Sequence, residues 1–239
     1  AHGFHFYKGA PLLNWIIYYP IEKICAKWTD CLITINTEDY ENAKKHLKAK
    51  KIEHINGVGM NTERFSKEIT QKQKNELKNK LKISKDNIVL TYVAELNKNK
   101  NQLLLIEMMD ELKKYIKDIK LLLVGDGIYI KKYKNEVKKR NLQRNIIFLG
   151  KRKDIPEILS VTDIYVASSI REGLPLNIME AMYMNLPVVA YDNRGHRELV
   201  ENKVNGYIVN SKKDLVEKMR ILINDKNLRN DFGKKSKEK

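Results

Sequence analysis

Cysteine is almost missing from this chain: among 239 residues only Cys25 and Cys31 carry a thiol. They stand among apolar neighbours with no metal or redox spacing, which excludes a zinc module or a disulfide framework and predicts buried thiols in a reducing compartment. Long apolar runs are lacking as well. The stretch from Leu12 to Tyr19 is too short for a membrane span and is closed by Pro20. No signal-peptide pattern opens the chain, so a soluble, cytoplasmic protein is expected. There is no Asp-x-Asp, and a metal ion is not implied. Negative charge is the scarcer sign, with 30 Asp and Glu against 46 Lys and Arg, a formal net charge of +16. The lysines, however, are spread over helix faces such as 72–82 and 131–140, without aromatic interleaving, zinc spacing or a recognition-helix pattern. No nucleic-acid partner is therefore expected. An anionic membrane surface remains attractive, since each lysine near a bilayer adds about 1 kcal/mol, and peripheral contact at the inner membrane face fits that charge.

What the chain does have is concentrated in 163–184, DIYVASSIREGLPLNIMEAMYM. Ile164 to Ala167 reads as a buried parallel strand, and the stretch ends in a segment with apolar residues at helical spacing. Between them, Gly173 permits close approach of a backbone or ligand, and Pro175 suits the first position of a helix. Such a helix start, at the carboxyl edge of a strand, offers unpaired N–H groups and the positive end of a dipole to a phosphate. Glu172 and Glu180 bracket it. Carboxylates would repel a bare phosphate but accept paired hydrogen bonds from a ribose or sugar diol. The ligand inferred is a nucleoside diphosphate sugar.

The rest of the chain alternates. Leu12–Trp28 reads as a largely buried helix, 31–35 as a strand, 38–47 as an amphipathic helix and 52–55 as a strand. Two strands and two helices cannot close a doubly wound sheet, so residues 1–56 are expected to be the remnant of a Rossmann-like domain and the chain a fragment. Residues 57–66, with Gly57 and Gly59, read as a linker. From 67 to 239, strands at 88–93, 120–124, 146–149, 164–167, 188–190 and 207–209 are separated by helix-length segments. This pattern predicts a parallel, doubly wound α/β sheet with ligands at its carboxyl edge.

The setting SxxEGLPLxxMEAM, followed by 187–190, resembles the donor-binding signature of GT-B retaining glycosyltransferases of family 4. The opening AHGFHFYKGAP resembles the acceptor-side domain of bacterial enzymes of that family in capsule and exopolysaccharide assembly. The resemblance implies that Glu180 holds the ribose hydroxyls, Glu172 touches the transferred sugar, and amides of Leu174, Pro175's successor Leu176 and the Gly173 turn meet the diphosphate. It also implies that Lys100 neutralises the diphosphate, that the Gly125-Asp126-Gly127 turn closes over the donor, and that backbone near Arg152 reads uracil. Glu95 stands where the family commonly has arginine, a reversal of charge that weakens phosphate binding unless Glu95 grips a sugar hydroxyl or another cation, and that loads Lys100. A loop histidine near the transferred sugar corresponds to His2, with His5 as competitor.

The implied activity is transfer of a sugar from a nucleotide donor, UDP by expectation, to a polysaccharide or lipid-linked acceptor, with no cofactor. The implied catalysis is electrostatic, by the helix start and Lys100. The rivals are a nucleotide-sugar epimerase of GT-B fold and a basic nucleic-acid-binding protein. Product analysis with a labelled donor separates the first, and salt-dependent nucleic-acid binding the second.

Overall fold

A computed structural model describes residues 3–7, 9–55, 57 and 59–239. The chain divides into two compact units, one of residues up to Met60 together with Glu172–Pro175, the other of Asn61–Arg171 with Leu176–Lys239.

In the first unit, α1 (Leu12–Cys25) runs into a 3-10 turn (Ala26–Trp28), then β1 (Cys31–Thr34), α2 (Thr37–His46) and β2 (Lys51–His54). Strands β1 and β2 pair in parallel, Cys31 opposite Lys51 and Thr34 opposite His54. Phe4, Phe6, Ala26, Ala43 and Leu47 form the core, with Trp15 and Tyr19 of α1 against it. The rings of Phe4 and Phe6 stack at 4.9 Å, and Trp15 and Tyr19 meet Phe6 edge-on at 5.5 and 5.3 Å. Buried Asp39 ties α2 to this cluster by accepting from the Phe4 N–H (3.3 Å) and the Asn36 amide (2.8 Å).

Two expectations are overturned here. Helix α1 is not largely buried: Leu12, Leu13, Ile16, Ile17, Ile21 and Ile24 are all exposed. Its apolar residues run around most of the circumference, and of them Trp15 and Tyr19 pack against the core cluster. The thiols of Cys25 and Cys31 are exposed too, because one ends that uncovered helix and the other opens a strand of a two-stranded sheet. Pro20 lies inside α1, within the helix read from 12 to 28. Its missing N–H leaves the Ile16 carbonyl outside the helical ladder, at an exposed position.

The second unit contains, in order, α3 (Glu63–Ser66), α4 (Gln71–Lys80), β3 (Ile88–Val93), α5 (Gln102–Leu112), β4 (Ile119–Val124), α6 (Ile130–Lys139), β5 (Ile146–Gly150), α7 (Ile155–Ser160), β6 (Ile164–Ala167), α8 (Leu176–Tyr183), β7 (Val188–Tyr191), α9 (Arg194–Leu199), β8 (Gly206–Val209), α10 (Lys212–Asn224) and α11 (Lys226–Glu238). Polar caps start several helices. Thr70 and Gln73 form a reciprocal capping box on α4, and Ser211 and Asp225 cap α10 and α11.

The strands form one parallel sheet in the order β5-β4-β3-β6-β7-β8. Strand β6 is buried throughout, as are Val89 to Tyr92 of β3, which is why these segments read as near-continuous apolar runs. Numbered within the unit, this is the 3-2-1-4-5-6 order of a dinucleotide-binding sheet. The connections reverse direction between β3 and β6, so the carboxyl ends of those two strands border the crevice where ligands of such folds gather.

Candidate functional site

The loops that leave β3, β4 and β5 are laced together by backbone. The Ala94 N–H donates to the Val124 carbonyl (2.9 Å), Leu96 to Asp126 (3.0 Å), Tyr129 to Leu96 (3.0 Å) and Gly125 to Gly150 (2.8 Å). This approach requires glycine. Gly125 has φ +135°, and a Cβ there would lie 2.1 Å from the Ala94 carbonyl oxygen; one on Gly127 would lie 2.4 Å from that of Leu96. The ledge bounds a cleft of about 590 Å³ lined by Glu95, Gly125, Asp126, Gly127, Ile128 and Lys151. The sequence-named Glu95 and Gly125 thus share one cleft, with Arg152 adjacent in the chain to its Lys151. The Arg152 guanidinium is occupied by Asp154, its Nε 2.7 Å from Oδ1 and its Nη2 bonded to Oδ2. That pairing raises the pKa of Arg152 and lowers that of Asp154.

At the switch point, the loop after β3 is stitched to the loop after β6. Ser168 Oγ donates to the Lys100 carbonyl (2.7 Å), and the Lys100 N–H donates to Asn97 Oδ1 (2.9 Å), so the Lys100 backbone is held at both ends. Asn99 donates to the Arg171 carbonyl (3.0 Å), and the Ile170 N–H returns a bond to Asn99 (2.8 Å). From the neighbouring strands, Tyr92 shares a 2.6 Å hydroxyl bond with Ser169, and Asn193 donates to the Ser169 carbonyl at 2.8 Å. The Tyr133 hydroxyl donates to the Asn97 carbonyl (3.0 Å), and burial pushes that phenol up to about 12. Asn97, Asn99, Ser168, Ser169 and Asn193 were not singled out from sequence. For Asn97 and Asn99 the signal was the run of asparagines and lysines at 97–101, which composition explains equally well; Ser169 opens the SxxEGLPL motif but was given no role of its own.

Helix α8 opens at Leu176, one residue beyond the start expected from Pro175; the proline therefore precedes the helix. Asn177 fixes this end by donating to the Val93 carbonyl at the tip of β3 (2.7 Å) while its Oδ1 accepts the Ile178 N–H (3.0 Å). One turn further, Glu180 is half-buried. Its carboxylate makes no hydrogen bond or ion pair with any described residue. Burial raises its pKa, and the charge of Arg64 pulls it back down. Arg64, on α3 within the stretch read as linker, also escaped the sequence reading.

Glu172, Gly173, Leu174 and Pro175 join β6 to α8 in the chain and cluster with the first unit. The first three are half-buried and Pro175 is buried. Within that unit, Gly57 (φ +77°) leaves its side-chain space to Leu174, whose Cδ2 would lie 2.4 Å from a Cβ at Gly57. His2 lies outside the described residues. Its competitor His5 sets its ring edge-on to Tyr18 at 4.5 Å, and its carbonyl accepts from the Asn14 amide (2.9 Å).

Residues 73–239 match the model of the family described as glycosyl transferases group 1. The chain belongs to the group 1 glycosyl transferases. Among curated members, it is 43% identical over 210 residues to the putative glycosyltransferase EpsD of Bacillus subtilis (strain 168), covering 87% of this chain and 55% of the relative. It is 34% identical over 216 residues to the UDP-Gal:alpha-D-GlcNAc-diphosphoundecaprenol alpha-1,3-galactosyltransferase of Escherichia coli, covering 87% and 54%. This group 1 chain thus spans about half the length of those curated relatives. Solved structures share its GT-B fold. Anabaena HepE in complex with UDP and glucose superposes with a TM-score of 0.85 at 21% identity, covering 100% of this chain and 64% of HepE. WaaG, a glycosyltransferase involved in lipopolysaccharide biosynthesis, gives 0.81 at 18%, covering 97% and 65%.

Proposed function

We propose that this chain binds a nucleoside diphosphate sugar, UDP-linked by preference, at the carboxyl edge of its second unit. In the whole transferase, the sugar then passes with retention of configuration to a polysaccharide or lipid-linked acceptor. The observation that carries the reading is Glu180: a half-buried carboxylate with no hydrogen-bond or ion-pair partner among the described residues, one turn into the helix that starts beside the switch point. Unpaired burial of a carboxylate is costly, and two ribose hydroxyls would satisfy it. HepE was crystallised with UDP and glucose, and the Escherichia coli relative is named for a UDP-galactose donor and a diphosphoundecaprenol acceptor. These names support the choice of donor and acceptor class.

As the glycosidic bond breaks, negative charge collects on the departing diphosphate. Lys100 and the backbone N–H groups of Leu174 and Leu176 are assigned to meet it, with Pro175 between them setting the turn, and Glu172 to meet the sugar. Glu95, in the cleft after β3, is assigned to donor hydroxyls, and the main chain at Arg152 to the base. The role of the loop histidine stays with His2 or His5. The reaction needs no cofactor beyond the donor. Calorimetry with UDP, GDP and their sugars tests the reading, with micromolar UDP binding as the expected result and loss of about tenfold in Glu180→Ala. Equal affinity in that variant removes Glu180 from the site.

Peripheral contact with an anionic bilayer belongs to the same proposal. It is supported by the exposed apolar face of α1 and by Lys23 and Lys27 beside it.

A further inference from the structure

The short helix α3 carries one long cation, and three observations attach it to the proposed donor site. The Arg64 Nη2 donates to the Lys153 carbonyl at 2.5 Å, bridging 89 residues of chain to the segment that follows β5. Phe65, buried beside it, meets Tyr183 edge-on at 6.4 Å, and the Arg64 guanidinium lies 5.5 Å over the Phe65 ring. Tyr183 stands three positions after Glu180 on α8, so α3 is docked on the turn of α8 next to that carboxylate. Charged groups on the other elements around α8 include Lys237 of α11, which sits over the Tyr183 ring at 5.1 Å, and Arg197 of α9, which is bound to Asp192 at 2.7 Å. The charge that acts on Glu180 is that of Arg64.

We propose that Arg64 is a positioning residue for the nucleotide: from α3, docked on the turn of α8 beside Glu180, it sets a positive charge next to that carboxylate, and it anchors the segment after β5 through the Lys153 carbonyl. The proposal rests on the donor-site reading above and names a residue in neither the motif nor the cleft. Its two parts are separable. A glutamine at 64 keeps a donor for Lys153 without the charge, a lysine keeps the charge without the planar fork, and a methionine keeps neither.

The test is calorimetric titration with UDP at neutral pH, on the 239-residue chain and on variants in a double-mutant cycle with Glu180→Gln. Arg64→Gln should weaken UDP by about fivefold to tenfold and Arg64→Lys by no more than about twofold; adding Arg64→Gln to Glu180→Gln should cost less than about twofold more. Arg64→Met should lose more than Arg64→Gln, and the excess should persist in the Glu180→Gln background, because that part runs through Lys153. Arg64 is exposed, so these variants should melt with the unmodified protein, which circular dichroism checks. If Arg64→Gln costs the same with and without Glu180, or if lysine is as poor as glutamine, the role of Arg64 is overturned while the donor site stands. If the unmodified chain binds no nucleoside diphosphate, the donor-site reading fails and the role of Arg64 fails with it.

Discussion

Glu180 is held in a state that the folded protein alone does not favour. A carboxyl whose folded pKa lies above its unfolded value binds its proton more readily when folded. Stability therefore falls as pH rises through that range, and the cost is fully present only above the folded pKa. Glu180→Gln should raise the melting temperature at pH 7 by about 1–2 °C and weaken UDP by about tenfold. Calorimetric melts should show the thermal gain shrinking as pH drops below the Glu180 pKa, where the acid is as neutral as the amide. A gain that persists at low pH would mean that burial of charge is not its source. Gly125 is constrained by sterics instead. With φ +135° and the Ala94 oxygen 2.1 Å from any Cβ, Gly125→Ala has no relaxed conformation at this close approach. It should cost about 2–4 kcal/mol, read as a fall of roughly 5–10 °C in the melt, and weaken UDP by deforming the ledge beside Glu95.

Among the elements, most helices and all eight strands were legible, because period and punctuation reported them: strand 88–93 matches β3 at both ends, and 164–167 matches β6. What stayed hidden depended on contacts between distant segments. Helix α11 buries only Phe232, Gly233 and Ser236 in an otherwise charged stretch, and Gly233 is there because Asn185's carbonyl leaves no room for a Cβ. No periodicity announces such a helix. The strand order was likewise invisible, since alternation specifies a parallel sheet without saying which strand neighbours which. At the site, the motif 172–180 stood out, whereas the asparagines that hold the loops did not, being indistinguishable from the chain's asparagine-rich background. Asn177 shows what they contribute. It both tethers the start of α8 to β3 and caps its own helix, so Asn177→Ala should cost about 1–2 kcal/mol. Asn177→Asp should do no better. It retains the cap and suits the dipole, but sets a carboxylate against the Val93 carbonyl. Urea melts of both variants decide whether the tether or the cap dominates: an aspartate variant as stable as the parent would assign the stability to the cap.

For the whole molecule, the question is how a chain with a net charge of +16 and an uncovered apolar helix meets a surface. Charge alone brings any such protein to an anionic bilayer and lets it go as salt rises, because attraction between exposed charges is screened over about 10 Å at 0.1 M. Insertion behaves differently, since burying Leu12, Leu13, Ile16 and Ile17 would add a term that salt does not weaken. Leu12 and Trp28 are 75% and 76% exposed, at opposite ends of the segment, and no described helix is long and apolar enough to cross a membrane. The expected mode is therefore to lie in the interface with Lys23 and Lys27 near the headgroups. Flotation with phosphatidylglycerol vesicles should show binding at about 0.05 M salt that persists in part at about 0.5 M. Ile16→Glu with Ile17→Glu should leave UDP affinity unchanged but abolish the salt-resistant fraction, and neutral phosphatidylcholine vesicles should capture little of either protein. If binding to anionic vesicles vanishes at high salt in the unmodified chain as completely as in the variant, α1 does not insert, and the lysine-rich surface accounts for the whole attraction.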